Sequence, residues 1–203
     1  NQVWFGVDGN SFPRKKRFLT EVQDGRTPNT LWLAEEVGHN QTATREVKLL
    51  FDDSKYFDFP KPVTYLEQFI RIFASDNCIA LDFFSGSGTT ADAIMRMNAE
   101  DGGNRRFIMV QLPEPTDESS EALKAGYANI CEIGKERIRR AGEKVKAECA
   151  DAQRAAGLDV GFKVFKLDSS NLQKWNPQPE DLQGALQASM ENFLPDRTEL
   201  DVV

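Results

Sequence analysis

The chain has 203 residues, 25 Lys and Arg against 32 Asp and Glu for a formal net charge of −7, with 40% apolar and 28% charged residues. That is one large domain or two small ones with material for a core, which excludes a disordered acidic tail and a fibrous repeat. The single imidazole, His39, rules out an HExxH zinc site, and the three scattered cysteines, Cys78, Cys131 and Cys149, have no CxxC pair and argue against a zinc ribbon or disulfide framework.

Residues 1–50 place turn signals (Gly6, Asp8-Gly9-Asn10, Pro13, Asp24-Gly25, Pro28-Asn29) between short apolar pieces, which reads as irregular structure. The acidity accumulates toward the C-terminus, so the basic run Arg14, Lys15, Lys16 and Arg17 is the better candidate for a nucleic-acid contact, with a solvated loop equally compatible. Short helices are expected near 34–38 and 42–50, leaving His39 in a polar loop between them. Pro60 and Pro62 bracket Lys61 and force an extended stretch before a helix at about 63–74. Thr64 is expected to cap it, with Leu66, Phe69, Ile70 and Phe73 on one face.

Residues 77–84 form a short apolar run with a carboxylate inside it, followed by SGSGTT and the helical pattern ADAIMRMNAE; a second strand is expected at 106–112. Strand, glycine turn, helix and strand in that order make the parallel crossover unit of an open α/β sheet. The 118–156 stretch is helical in composition, with Ile130, Ile133, Ile138, Ala141 and Val145 near helical spacing. Gly134 and Gly142 are expected to break it, and Lys135, Arg137, Arg139 and Arg140 to form a solvated face. The alternation in GFKVFKL predicts a strand at 161–167. A further helix is expected at 181–194, and Trp4, Trp32 and Trp175 read as core anchors.

The densest chemical signal is Asp82-Phe83-Phe84-Ser85-Gly86-Ser87-Gly88-Thr89-Thr90. Two glycines let the backbone turn sharply and approach a ligand, and the helix beyond presents free N–H groups, so a nucleotide-like cofactor is the natural guest. Gly86, Gly88 and Ala91 also match G-x-G-x-x-A, the dinucleotide turn, which keeps an NAD-binding oxidoreductase domain in play. A phosphate P-loop would need Lys where Thr89 stands. A carboxylate at Asp82 suits a cofactor with a cationic amine, such as S-adenosylmethionine, better than a pyrophosphate.

These residues resemble a family. DFFSGSGTT looks like the cofactor motif of the DNA adenine-N6 methyltransferases in which the cofactor half follows the catalytic half, and FDDSKYFDFPKPVTYLEQFIRI resembles the motif just upstream of it in that permuted order, with Phe59, Lys61 and Pro62 at its matching positions. LWLAEEVGHNQTATREVKLLF and GFKVFKLDSSNLQKW resemble the methyltransferase (Mod) subunits of type III restriction-modification systems, so the likeness covers roughly residues 28–175. It implies that Asp82, Phe83, Phe84 and the turn from Ser85 to Thr90 hold the methionine part of S-adenosylmethionine, with Phe59, Lys61 and Pro62 bordering the cleft. Gln111 stands where relatives commonly carry an acid for the ribose hydroxyls; its amide can still accept a hydrogen bond.

The family's [DNS]-P-P-[YFW] motif, which engages the flipped base, is absent: the 203 residues contain no Pro-Pro dipeptide. In the permuted order it precedes residue 1, and the chain begins with Asn1, so the expectation is the C-terminal, cofactor-binding portion of a longer enzyme, inactive by itself. The expected fold class is α/β, a partial Rossmann-like methyltransferase sheet built on a βαβ unit with flanking helices and lacking the catalytic half. The expected divisions are 1–50 as the end of a target-recognition segment, 51–168 as the S-adenosylmethionine-binding half-domain and 169–203 as an extension. Implied partners are double-stranded DNA, the missing N-terminal half, a second Mod subunit and a restriction subunit. A non-catalytic assembly module for a restriction subunit is the alternative from another class. No stretch approaches the ~20 apolar residues of a membrane span, so the expected setting is the cytoplasm.

Overall fold

The computed structural model describes residues 3–16, 25, 27–167, 171, 180 and 182–188. The chain divides into two compact units, Asn1–Gly161 and Phe162–Val203. Strands β1 (Val3–Trp4) and β2 (Arg14–Lys15) pair antiparallel, so the start of the basic run lies on a short exposed hairpin; Arg17 lies outside the described residues. Helix α1 (Ala34–Val37) leads into α2 (Asn40–Leu50), which starts earlier than its apolar spacing suggests because His39 caps it: Nδ1 accepts from the Thr42 amide at 3.1 Å. His39 is therefore a helix cap and not a loop residue.

Helix α3 (Val63–Phe73) forms where expected, but the N-cap is Pro62, and Thr64 donates to the Val37 carbonyl at 2.7 Å instead of capping. Its buried side chains are Val63 and Ile70; Phe69 and Phe73 are 46% and 68% exposed, which corrects the expected face. Strand β3 (Ile79–Asp82) runs through the glycine turn into α4 (Thr89–Asp101) and on to β4 (Arg106–Met109), parallel to β3 with Ala80 opposite Phe107 and Asp82 opposite Met109. The crossover unit expected from the sequence is present. The architecture is mixed α/β, with two small sheets of two strands each among the described residues.

The core lies where α4 meets the sheet. Val63, Ile70, Ala93, Ile94 and Met97 cluster there, with Leu66, Ala80 and Phe107 packed against them. At the far end of α4 the Asn98 amide closes the crossover by donating to the Arg105 carbonyl, and its carbonyl accepts from the Arg105 amide.

Beyond β4, α5 (Glu121–Lys124), α6 (Ile130–Glu148) and α7 (Ala152–Gly157) follow. Neither Gly134 nor Gly142 breaks α6. Both serve close packing: a Cβ on Gly134 would stand 3.2 Å from the Gly86 carbonyl oxygen, and one on Gly142 would stand 2.9 Å from Val160 Cβ. The solvated face assigned to the arginines is also corrected, since Arg137 is fully buried. Residues 161–167 form no strand; Phe165 and Leu167 are 84% and 103% exposed, and among the described residues the alternation has no neighbouring strand to pair with. Of the expected helix at 181–194, α8 (Leu182–Ala188) is present and the rest lies outside the described residues. Trp4 is half exposed, Trp32 meets the Tyr65 ring edge-on at 5.7 Å, and Trp175 lies outside the described residues.

Candidate cofactor site

The turn between β3 and α4 is built by hydrogen bonds that its own residues supply. Gly86 and Gly88 take φ of +51° and +81°, a left-handed backbone that side chains disfavour, and Gly88 ends as the N-cap of α4. The Gly88 amide donates to the Ser85 carbonyl at 2.7 Å, and the Ser85 amide donates to the Val110 carbonyl at 3.2 Å, tying the turn to the strand beside it. Asp82 closes the loop from below: Oδ1 accepts from the Phe84 amide at 3.1 Å and Oδ2 from the Thr90 hydroxyl at 2.6 Å. An ionised carboxylate has about four lone-pair sites, so these two bonds leave it able to accept from a ligand cation.

Gln111 lies just beyond β4, and its Oε1 accepts from the Gly86 amide at 2.8 Å while Nε2 donates to the Leu112 carbonyl at 3.3 Å. The side chain is engaged with the turn itself. The Gln111 carbonyl in turn accepts from the Cys131 thiol at 3.4 Å, and burial pushes that thiol's pKa up. The first turn of α4 points N–H groups without intrahelical acceptors toward the turn, a positive helix end suited to an anionic group.

Of the expected site residues, Asp82, Ser85, Gly86, Ser87, Gly88, Thr89, Thr90 and Gln111 form one connected group. Phe83 and Phe84 flank it with rings 63% and 87% exposed. Phe59 is 77% exposed with φ of +54°, an uncommon conformation for a bulky residue. Lys61 and Pro62 line a separate cleft of about 250 Å³ with Gly38, His39, Asn40 and Tyr65. From that upstream segment it is Phe57, not singled out in the sequence, that reaches the turn: a Cβ on Gly86 would stand 3.3 Å from its ring.

A second residue missed in the sequence lies beneath the turn. Arg137, fully buried, donates to Ser87 Oγ at 2.6 Å, Thr89 Oγ1 at 2.7 Å and Asp92 Oδ2 at 3.2 Å. Asp92, equally buried, also accepts from Arg96 Nε at 2.7 Å. Burial pushes the Arg137 pKa down and the Asp92 carboxylate opposes that shift. The signal was available, because Ile133, Arg137, Ala141 and Val145 recur every four residues and share one helix stripe. A larger open groove of about 680 Å³, lined among others by Leu50, Glu136, Arg140 and Glu143, shares no residue with the turn. Among the described residues no cluster of His, Cys, Asp and Glu could hold a metal ion, and no helix is long and apolar enough to cross a membrane.

A family model described as DNA methylase matches residues 8–143, a span that includes the whole strand–turn–helix–strand unit. The chain is 36% identical over 82% of its length to the Mod subunit of the type III restriction-modification enzyme StyLTI of Salmonella typhimurium, and 34% identical over 78% to the EcoPI Mod subunit of Escherichia phage P1. It is 38% identical over 51% of its length to the type II methyltransferase M.KpnI of Klebsiella pneumoniae. The chain spans about a quarter of the length of these relatives, between 23% and 24%.

Proposed function

The chain belongs to the DNA methylase family, and from that premise we propose that it supplies the S-adenosylmethionine-binding part of a site-specific DNA adenine-N6 methyltransferase of the type III Mod kind. The observation that carries this reading is the carboxylate of Asp82 at the end of a parallel strand, held against a glycine turn whose backbone leads into the N-terminus of α4. The donor set fits the cofactor. Asp82 would accept from its ammonium group, and the N–H groups opening α4 would receive its carboxylate. Phe83 and Phe84 offer exposed apolar rings beside the turn for the adenosine part.

When bound, S-adenosylmethionine supplies an electrophilic methyl group on a sulfonium centre. The residues of this chain bind and orient the donor, and orientation is a large part of what such a transfer requires. Gln111 holds the Gly86 amide in place and so sets the turn's shape. In this reading the base-engaging residues lie outside the 203 residues, which contain no Pro-Pro dipeptide. DNA, a second methyltransferase subunit and a restriction subunit are the partners of the intact enzyme.

Calorimetric titration of the chain with S-adenosylmethionine, with NAD as control and Asp82→Ala as the variant, tests the proposal. Binding of S-adenosylmethionine but not NAD is expected, weakened in the variant on the order of tenfold to a hundredfold, the range for losing a hydrogen bond to a charged group. NAD binding alone, or binding indifferent to Asp82, contradicts it.

A further inference from the structure

The glycine turn is shaped from behind by one face of α6. Gly134, Arg137 and Ile138, at i, i+3 and i+4, share that face. Gly134 leaves room for the Gly86 carbonyl, and Ile138 lies 3.1 Å from where a Cβ on Gly88 would be. Between them Arg137 extends its guanidinium to both hydroxyls of the turn, Ser87 and Thr89, whose oxygens stand 3.3 Å apart.

Stability alone does not account for this guanidinium. It is completely buried, its Nε has no hydrogen-bond partner among the described residues, and the one carboxylate it hydrogen-bonds among them, Asp92, is already paired with Arg96, with Glu46 lending a smaller attraction. Two cations thus hydrogen-bond one buried carboxylate, an arrangement that an apolar side chain of similar volume often matches or betters in stability. What an apolar residue lacks is the planar guanidinium, whose Nη1 donates to both hydroxyls while its Nη2 is held by Asp92. Because arginine only donates, Ser87 and Thr89 must both accept from it. Their rotamers, and with them the path of the backbone from Gly86 to Thr89, are set from the protein side.

We propose that Arg137 is a positioning residue for the cofactor turn: from α6 it holds Ser87 and Thr89 so that the turn is formed before any ligand arrives. The proposal rests on the reading of the turn as the S-adenosylmethionine site. Preformed geometry of this kind lowers the ordering cost of binding.

The test compares the 203-residue chain with its Arg137→Met and Arg137→Lys variants by amide hydrogen exchange, alongside titration with S-adenosylmethionine. Methionine keeps the volume and removes the fork, while Asp92 retains Arg96. In Arg137→Met, exchange at residues 85–90 is expected to rise about tenfold or more while amides in the middle of α4 and α6 stay near their original rates, and affinity is expected to fall by a similar factor. Arg137→Lys, which keeps a charged donor but loses the rigid second nitrogen that Asp92 holds, is expected to fall between. Unchanged exchange at the turn, a uniform rise across all helices, or full protection with lysine would each overturn the proposal. If Arg137→Met does not fold, the lysine variant alone decides by the same local comparison. The cofactor reading fails separately: a wild-type chain that binds no S-adenosylmethionine but shows the local exchange effect retains the positioning role and loses the assigned ligand.

Discussion

Asp82 commits both carboxylate oxygens to its own turn, which makes its charge separable from its geometry. In Asp82→Asn the amide oxygen still accepts from the Phe84 amide, and the Thr90 hydroxyl can reverse to accept from the new NH₂. The variant is expected to keep the thermal midpoint within a few degrees, about 1 kcal/mol or less in stability, and to weaken S-adenosylmethionine on the order of tenfold or more. Thermal melting and titration of the same sample check both halves. Gly134 makes the converse case. Alanine there gains about 1 kcal/mol of helix propensity but places its methyl 3.2 Å from a backbone oxygen that cannot move without distorting the turn. Gly134→Ala is expected to lose about 1–3 kcal/mol by chemical denaturation. The turn itself was legible because glycines, hydroxyls and a carboxylate at fixed spacing have few other uses. Arg137 was not: flanked by Arg139 and Arg140, it reads as one more solvated cation until its neighbours at every fourth position are counted.

Among the elements, α6 does two jobs that the sequence does not separate. One stripe builds the turn; other residues latch the helix to the end of α2. Arg140 donates to Glu136 at 2.8 Å, to the Leu50 carbonyl at 2.9 Å and to Asp52 at 2.8 Å, and lies over the Phe51 ring at 5.1 Å. The hydrogen bond from Arg140 holds the Glu136 carboxyl below its ordinary value. A carboxylate depressed in the folded state stabilises above its unfolded pKa and loses that contribution as pH falls through the folded one. The chain is therefore expected to lose stability from about pH 4.5 downward, and Glu136→Gln to flatten that limb by about 1 kcal/mol, as read from denaturation midpoints across the acid range. The elements expected from periodicity (α3, β3, α4, β4) formed close to their predicted places because local spacing and tertiary packing agree there. The strand expected at 161–167 did not, because alternation describes a half-buried surface and nothing among the described strands pairs with it.

For the molecule as a whole, the sheet is half covered. Ala80, Asp82, Phe107 and Met109 face the helices, while Ile79, Leu81 and Ile108 on the opposite face are about half exposed, with Val110 at 43%. Parallel strands are ordinarily covered on both faces, and β3 and β4 each present an unpaired edge among the described residues. The expectation is concentration-dependent self-association through this face, seen by sedimentation velocity and suppressed by Leu81→Glu without loss of helix content. A strictly monomeric chain across a hundredfold concentration range runs against it.

Whether the turn between β3 and α4 is a methyl-donor site can be read from the amide chemical shifts of ¹⁵N-labelled chain titrated with S-adenosylmethionine. Saturable changes are expected at Asp82, residues 85–91 and the side-chain amide of Gln111, with α7 unmoved. Changes centred instead on the cleft beside His39 and Lys61, or none at all in a chain whose spectrum is dispersed and folded, would contradict the methyl-donor reading.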